Sequence, residues 1–120
     1  MPRDARAYLK DIIDACDAID AATDGIEFDA YRSSRLIRSA VEREFIIIGE
    51  AIAAMRRNAP LVFGRITDGA RIVDFRNQLT HEYVHVNDVL VWGVIDRNIA
   101  TLRSECETML SELEREHGLR

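Results

Sequence analysis

Residues 36–55 read LIRSAVEREFIIIGEAIAAM, and this stretch decides the fold class. Its apolar residues recur every three or four positions, which is the period of an amphipathic helix. Around Phe45–Ile48 the helix is apolar on every side, and Gly49 would let another backbone approach closely. We therefore expect a long helix, ending near Asn58 before Pro60, that is covered on more than one side, with a second subunit as one cover. The predicted core positions are Leu36, Ile37, Val41, Phe45, Ile48, Ile52 and Met55.

One further helix is predicted before this one and another after it. An apolar stripe of helical period marks a first helix over residues 4–24, which Gly25 ends. A short third helix begins near Thr67 or Asp68, either of which can cap it. It then loses helix propensity in the β-branched run at 83–86.

A fourth helix follows, with Asn87 or Asp88 as its cap. Its predicted stripe is Val89, Trp92, Ile95, Ile99, Leu102, Cys106, Met109 and Leu113. Four helices with short connections, and few glycines or prolines, predict an all-α, up-and-down four-helix bundle. The length predicts a single domain over residues 1–120.

Composition limits the classes of partner. The net charge is −5, with 48% hydrophobic and 31% charged residues. This excludes a strongly basic nucleic-acid binder, so any contact with RNA needs a local basic patch, to which Arg65 and Arg71 could contribute. Cys16 and Cys106 fall on apolar stripes and are expected to be buried thiols. Neither a membrane-spanning run nor a signal peptide is recognisable, so a cytoplasmic location is expected.

The chemically richest segment is RNQLTHEY at residues 76–83. Asn77 and His81 are four residues apart and share one helix face. Arg76 and His81 are five apart, about 140° around an ideal helix, and would not converge on one phosphate there. They can converge if the helix ends near His81, or if Arg76 of one chain meets His81 of another across a dimer axis.

These residue types suit the cleavage of a phosphodiester. An imidazole can take a proton from a ribose 2′-OH or give one to the leaving oxygen, and a guanidinium stabilises charge on the phosphate. No metal is needed if the 2′-OH is the nucleophile. Taken alone, however, the Arg76-x4-His81 spacing is common, and a surface histidine with an ion-paired arginine is the better explanation of it.

A second pattern overlaps the first. Residues 81–85 read HEYVH, which is the His-Glu-x-x-His pattern of zinc metallopeptidases, and Glu105 could supply a third ligand. The pattern requires His81 and His85 on one helical turn, where helix propensity is failing. The chain also offers no predicted sheet to bind a peptide, so a zinc hydrolase is the weakest of the functional alternatives.

Larger motifs point to a known family. They are DII at 11–13, IIGEA at 47–51, RNxLxHxY at 76–83 and DxxxW at 88–92. In these motifs and their spacing the chain resembles the HepT-like proteins of the HEPN superfamily, over roughly residues 8–110. The combination is far more specific than an arginine and a histidine at fixed spacing.

The resemblance implies a dimeric helical bundle whose RNxLxHxY segments meet in a cleft between subunits. It implies a metal-independent endoribonuclease without cofactor, the toxin of a toxin–antitoxin pair, neutralised when a minimal nucleotidyltransferase antitoxin adds AMP to Tyr83. Carried over to this sequence, His81 is the general acid/base, Arg76 binds the phosphate, and Asn77 is a polar group that orients the reacting groups. For Glu50 two alternatives stay open: a partly buried carboxylate that supports the site by pairing with Arg76 or His81, or an ordinary solvated glutamate.

One alternative within the family stays open. The chain could be a non-catalytic HEPN dimer that serves as the binding partner of a nucleotidyltransferase. Glu82 stands inside the motif, where its charge would repel phosphate and weaken RNA binding. A neighbouring reading frame for a short nucleotidyltransferase would identify the system, although not the activity.

Overall fold

The computed structural model describes residues 3–81 and 86–118, and the regular elements in these ranges are all helices. The prediction of an all-α fold is therefore confirmed. None of the described helices combines the length and the apolar character needed to cross a membrane. In chain order the helices are α1 (Ala5–Thr23), α2 (Phe28–Ser33), α3 (Arg35–Asn58), α4 (Pro60–Phe63), α5 (Gly69–His81) and α6 (Asp88–Gly118).

Local capping explains where these helices begin and end. The side chains of Asp4, Ser34 and Asn87 each accept a hydrogen bond from a backbone N–H two or three residues further on, at 2.8, 3.2 and 3.1 Å. Gly25, with a φ of 72°, follows α1 in a conformation that favours glycine. Pro60 cannot continue α3 and instead opens α4. Short helices α2 and α4 thus extend the predicted set of four.

Helix α3 lies at the centre of the packing. It packs against α1 and against α5, while α6 packs against α1. The run at 45–48 is covered largely within the chain, because Phe45 and Ile48 are buried, whereas Ile46 and Ile47 are half-buried. Helices α1 and α5 therefore cover two sides of α3 within the chain. The apolar surface of α3 does not by itself require a second subunit.

Two predicted core positions are wrong. Leu36 is 82% exposed and Val89 is 68% exposed, while Val91, which the predicted stripe omits, is fully buried. On a helix of 100° per residue, Leu36 and Val89 each lie more than about 100° from the centre of their own buried stripe. Trp92 packs instead beside α2, with its ring centroid 5.3 Å from that of Tyr31.

The two cysteines confirm the expectation of buried thiols. Cys16 in α1 and Cys106 in α6 are fully buried and free. Burial raises the pKa of each thiol to about 12. Because the thiolate is the reactive form, both residues act as small apolar side chains in the core.

The turn before α5 is tied to α6. Glu105 accepts hydrogen bonds from the backbone N–H of Thr67 at 3.0 Å and from its hydroxyl at 2.7 Å. The next residue, Asp68, has a φ of 60°, a conformation uncommon for a residue other than glycine. These contacts fix the beginning of α5, the helix that carries the candidate catalytic residues.

Candidate active site

Arg76 lies on the face of α5 that packs against α3. The residues around it on this face are apolar and buried: Ile72, Val73, Phe75 and Leu79. An arginine at the middle of a buried face needs space for its long side chain and partners for its donors. The surface of α3 provides that space.

Gly49 of α3 lies directly beneath the side chain of Arg76. A Cβ atom built on Gly49 would lie 2.5 Å from Cγ of Arg76 and closer still to its Cβ. Carbon atoms pack at about 3.5–4.0 Å, so no side chain larger than hydrogen fits between the two helices here. One turn away, the rings of Phe45 and Phe75 meet edge-on, with centroids 5.1 Å apart. The glycine and the aromatic pair together fix how α5 crosses α3.

The guanidinium of Arg76 has an unsatisfied buried donor. Its Nε is buried and has no hydrogen-bond partner within residues 3–81 and 86–118. Leaving a buried donor unpaired costs roughly 1–3 kcal/mol, and more for a charged group. Arg76 as a whole is only half-buried, and a guanidinium is the side chain that binds phosphate or carboxylate best, so this charge is a candidate oxyanion binder.

His81 lies on a different side of the same helix. Asn77 and His81 are both exposed and one turn apart, whereas Arg76 points across α3. Since α5 is regular as far as His81, the angle of about 140° between positions 76 and 81 is retained. Within one chain the structure brings Asn77 and His81 together but leaves Arg76 directed elsewhere.

The remaining residues of the predicted site have different outcomes. Glu50 is exposed rather than partly buried, and no ion pair joins it to Arg76 or His81 among the described residues. Glu82 and Tyr83 lie outside the described residues.

The arrangement of Glu105 argues against the zinc alternative. Its carboxylate is engaged by Thr67 at the beginning of α5, and about 18 Å of helix separates that end from His81. Glu105 is therefore not a third ligand beside His81, and His85 lies outside the described residues. The described ranges contain no group of three histidine, cysteine or carboxylate residues arranged to hold a metal ion.

Arg65 and Arg71 do not form the local basic patch to which they were expected to contribute. Arg65 is bound to Glu112 at 2.7 Å, near the end of α5 opposite His81, so it adds little free positive charge near the motif. Arg71 instead lines a cavity of about 530 Å³ between α5 and α6, together with Arg97 of α6. Sequence spacing could not reveal the second arginine, because the two helices meet only through the tertiary fold.

Comparison with known proteins gives one consistent result. The model of the family described as "Ribonuclease HepT-like" matches residues 12–62 and 67–109, which include Gly49, Arg76 and His81. No solved structure matches significantly.

Curated relatives cover nearly the whole chain. A protein of Thermococcus cleftensis named "Probable ribonuclease HepT" is 29% identical over 112 residues, covering 91% of this chain and 98% of the relative. A "Putative RNase" of Methanocaldococcus jannaschii is 28% identical over 105 residues, covering 88% of this chain and 95% of the relative. Another protein so named, from Caldanaerobacter subterraneus, is 28% identical over 110 residues, with 89% and 95% covered.

The close approach at Gly49 predicts the effect of adding one methyl group there. Gly49→Ala should lower the free energy of unfolding by about 1–3 kcal/mol, because the stem of Arg76 and the backbone of α5 must move away. Urea denaturation followed by circular dichroism measures this change.

Gly93→Ala in α6 is the matched control. The nearest atoms to the added Cβ all belong to the guanidinium of Arg97, with Nη2 at 2.9 Å and Cζ at 3.4 Å, and that flexible tip can move aside. This variant should keep or gain stability, by up to about 1 kcal/mol from helix propensity. Equal stability changes in the two variants would show that the Gly49 contact does not constrain the packing.

Proposed function

The chain belongs to the ribonuclease HepT-like family, and from this membership and the geometry of its site we propose that it is the RNA-cleaving toxin of a toxin–antitoxin pair. The names of its relatives support ribonuclease activity. The substrate is RNA, the cut is endonucleolytic, and the reaction needs no metal. The observation that carries the proposal is the half-buried Arg76 of α5, the helix that also carries His81. Its side chain packs over Gly49 of α3, and its Nε has no hydrogen-bond partner among the described residues.

The proposed reaction is a transfer within the RNA. His81 takes the proton from a ribose 2′-OH, and the 2′-oxygen attacks the adjacent phosphorus. The bond from phosphorus to the 5′-oxygen breaks, and that oxygen receives a proton as it leaves. The products are a 2′,3′-cyclic phosphate and a 5′-OH end. Arg76 binds a non-bridging phosphate oxygen and stabilises its charge, while Asn77 orients the imidazole or the ribose from the next turn.

A complete site is proposed to need two chains. The directions of Arg76 and His81 diverge on one α5, but a two-fold axis beside this helix would bring Arg76 of one chain near His81 of the other. The half-buried Ile46 and Ile47 of α3 supply apolar surface that a homodimer could cover. The exposed Glu50 would then face the second chain, where it could support the site.

The catalytic assignment predicts large losses of rate. His81→Ala and Arg76→Ala should each reduce RNA cleavage by roughly 10²–10⁴-fold, the range for a lost general base or a lost charge stabiliser. Cleavage by the wild-type chain should persist in EDTA and leave cyclic phosphate ends, detected by mass spectrometry of the fragments. His117→Ala and Arg57→Ala serve as controls, because both residues are exposed and far along α6 and α3 from the motif.

Three results would contradict this mechanism. Unchanged cleavage in His81→Ala would remove the imidazole from the reaction. Loss of cleavage on chelation, with one zinc per chain, would favour the His81/His85 alternative. A homogeneous dimer that binds RNA or a nucleotidyltransferase but never cleaves would favour the non-catalytic member of the family.

Control of the toxin is proposed to act at Tyr83, two residues after His81. A nucleotidyltransferase antitoxin would transfer AMP from ATP to the phenol oxygen and release pyrophosphate. The attached AMP is a bulky anion, and close to Arg76 it would occupy the phosphate site and repel RNA. Modification should therefore prevent both binding and cleavage, without a conformational change elsewhere.

Co-expression with a nucleotidyltransferase encoded beside this chain tests that control. Intact mass should increase by whole AMP units, and peptide fragmentation should place them on Tyr83, whereas Tyr83→Phe should remain unmodified and keep part of its ribonuclease activity. Tyr8→Phe, on α1, is the matched control and should be modified and silenced like the wild type. AMP on another residue, or full neutralisation of Tyr83→Phe, would contradict the assignment.

A further inference from the structure

A groove rich in arginine lies where α2, α3 and the beginning of α6 meet. Its volume is about 530 Å³, and its lining consists of Arg32, Arg35, Arg38, Ser39, Glu42, Val86 and Asp88. We refer to it as the arginine groove. It is separate from the cavity between α5 and α6, and none of its residues belongs to the catalytic set assigned above.

Two of its arginines are held by neighbours other than carboxylates. The guanidinium of Arg32 lies over the ring of Phe28, 5.8 Å from the centroid, and Arg38 donates to the backbone carbonyl of Arg32. Among the described residues, ion pairs with carboxylates involve other arginines of the chain and none of the three in the groove. The guanidinium donors of the groove therefore keep capacity for an external anion.

The position of Arg35 and Arg38 does not serve helix stability. Arg35 is the first residue of α3 and Arg38 follows one turn later, and the first turn contains no acidic residue. Cations at this end of a helix oppose its dipole, which favours negative charge there. The arrangement weakens α3 slightly while concentrating positive potential at the groove.

The two carboxylates on the wall reduce that potential without cancelling it. Burial and the nearby Asp88 raise the pKa of Glu42. Even with both carboxylates ionised, three guanidiniums face two negative charges. The groove is thus a locally positive surface on a chain whose net charge is −5.

We propose that the arginine groove binds the phosphate backbone of the RNA on one side of the cleavage site, an inference that rests on the proposed ribonuclease function. Val86 forms part of the groove and lies five residues after His81, so the chain limits their separation to about 18 Å. An RNA strand bound at His81 extends beyond the cleaved bond, and planar guanidinium groups bind phosphate oxygens through two parallel hydrogen bonds. Contacts of this kind give affinity without reading sequence.

Two pairs of substitutions on the chain form a matched test. Arg32→Gln/Arg35→Gln removes one arginine stacked on a phenylalanine and one exposed arginine from the groove. Arg56→Gln/Arg57→Gln does the same at the far end of α3, where Arg56 lies over Phe63 at 5.2 Å. Both pairs change the net charge equally, so a difference between them reports position and not total charge.

Binding is measured by fluorescence anisotropy with a labelled single-stranded RNA of mixed sequence, in a His81→Ala background that prevents turnover. The groove pair should bind about 10-fold more weakly near physiological salt, and the slope of log K against log salt should fall by about 1.4, or 0.7 per lost phosphate contact. The control pair should change neither quantity appreciably. In chains with His81 intact, the groove pair should raise KM and leave kcat at saturating RNA within about 2-fold.

The outcomes separate this inference from the proposed function. If the wild type cleaves RNA while the groove pair matches the control pair in affinity, salt slope and KM, the groove is not an RNA site and the ribonuclease assignment stands. If His81→Ala cleaves like the wild type, the proposed mechanism fails whatever the groove does. Normal RNA binding by the groove pair, with lost binding of the nucleotidyltransferase, would overturn the inference in favour of an acidic protein surface.

Discussion

The close packing of α5 on α3 at Gly49 is the contact on which the geometry of the site depends. Only a residue without a side chain lets the stem of Arg76 cross α3 at this distance. The contact places a charged side chain in the middle of an apolar helix face and leaves its Nε buried and unpaired in the described structure. No partner among the described residues compensates that cost, and a functional role of the guanidinium is one explanation for such a group.

The rest of α5 follows from that contact. The Phe45–Phe75 pair fixes the rotation of the helix, and the bonds between Thr67 and Glu105 fix its beginning. With the rotation and the beginning of α5 fixed in this way, Asn77 and His81 lie on its exposed face, directed away from Arg76. The same packing that positions the arginine therefore separates it from the histidine within one chain.

Much of this could be predicted from the sequence. Helical periodicity predicted the all-α fold, and Gly25 and Pro60 were correctly predicted to end helices, because capping depends on local chemistry. Of the two residues predicted to cap the last helix, Asn87 or Asp88, the structure has Asn87. Leu36 and Val89 were assigned to the core because they are apolar, although the helical angle of each places it off the buried face, and both are exposed. Gly49 was expected to let another backbone approach closely, and the tertiary packing shows that the atoms nearest to it are those of the Arg76 stem in α5 of the same chain.

Charge distribution shows a similar limit. The net charge of −5 predicted that any RNA contact must be local, but it could not say where. Arg65 and Arg103 are taken up in ion pairs with Glu112 and Asp17, whereas Arg32 and Arg35 line a groove contributed by separate helices. Glu112 and Asp17 lie 47 and 86 residues from their arginines in sequence, so spacing does not predict these two pairs. The additional pair of Arg103 with Glu107, by contrast, has the i, i+4 spacing of one helix face.

Complementation between two inactive chains tests most directly whether the active centre is shared. Arg76→Ala and His81→Ala chains are unfolded together, refolded as a mixture, and assayed for RNA cleavage beside each variant refolded alone. If Arg76 of one chain serves His81 of the other, the mixture should recover about one quarter of wild-type activity, since half of the dimers are mixed and each has one complete site. If both residues act within one chain, the mixture should stay as inactive as its two components, and the shared site would be contradicted.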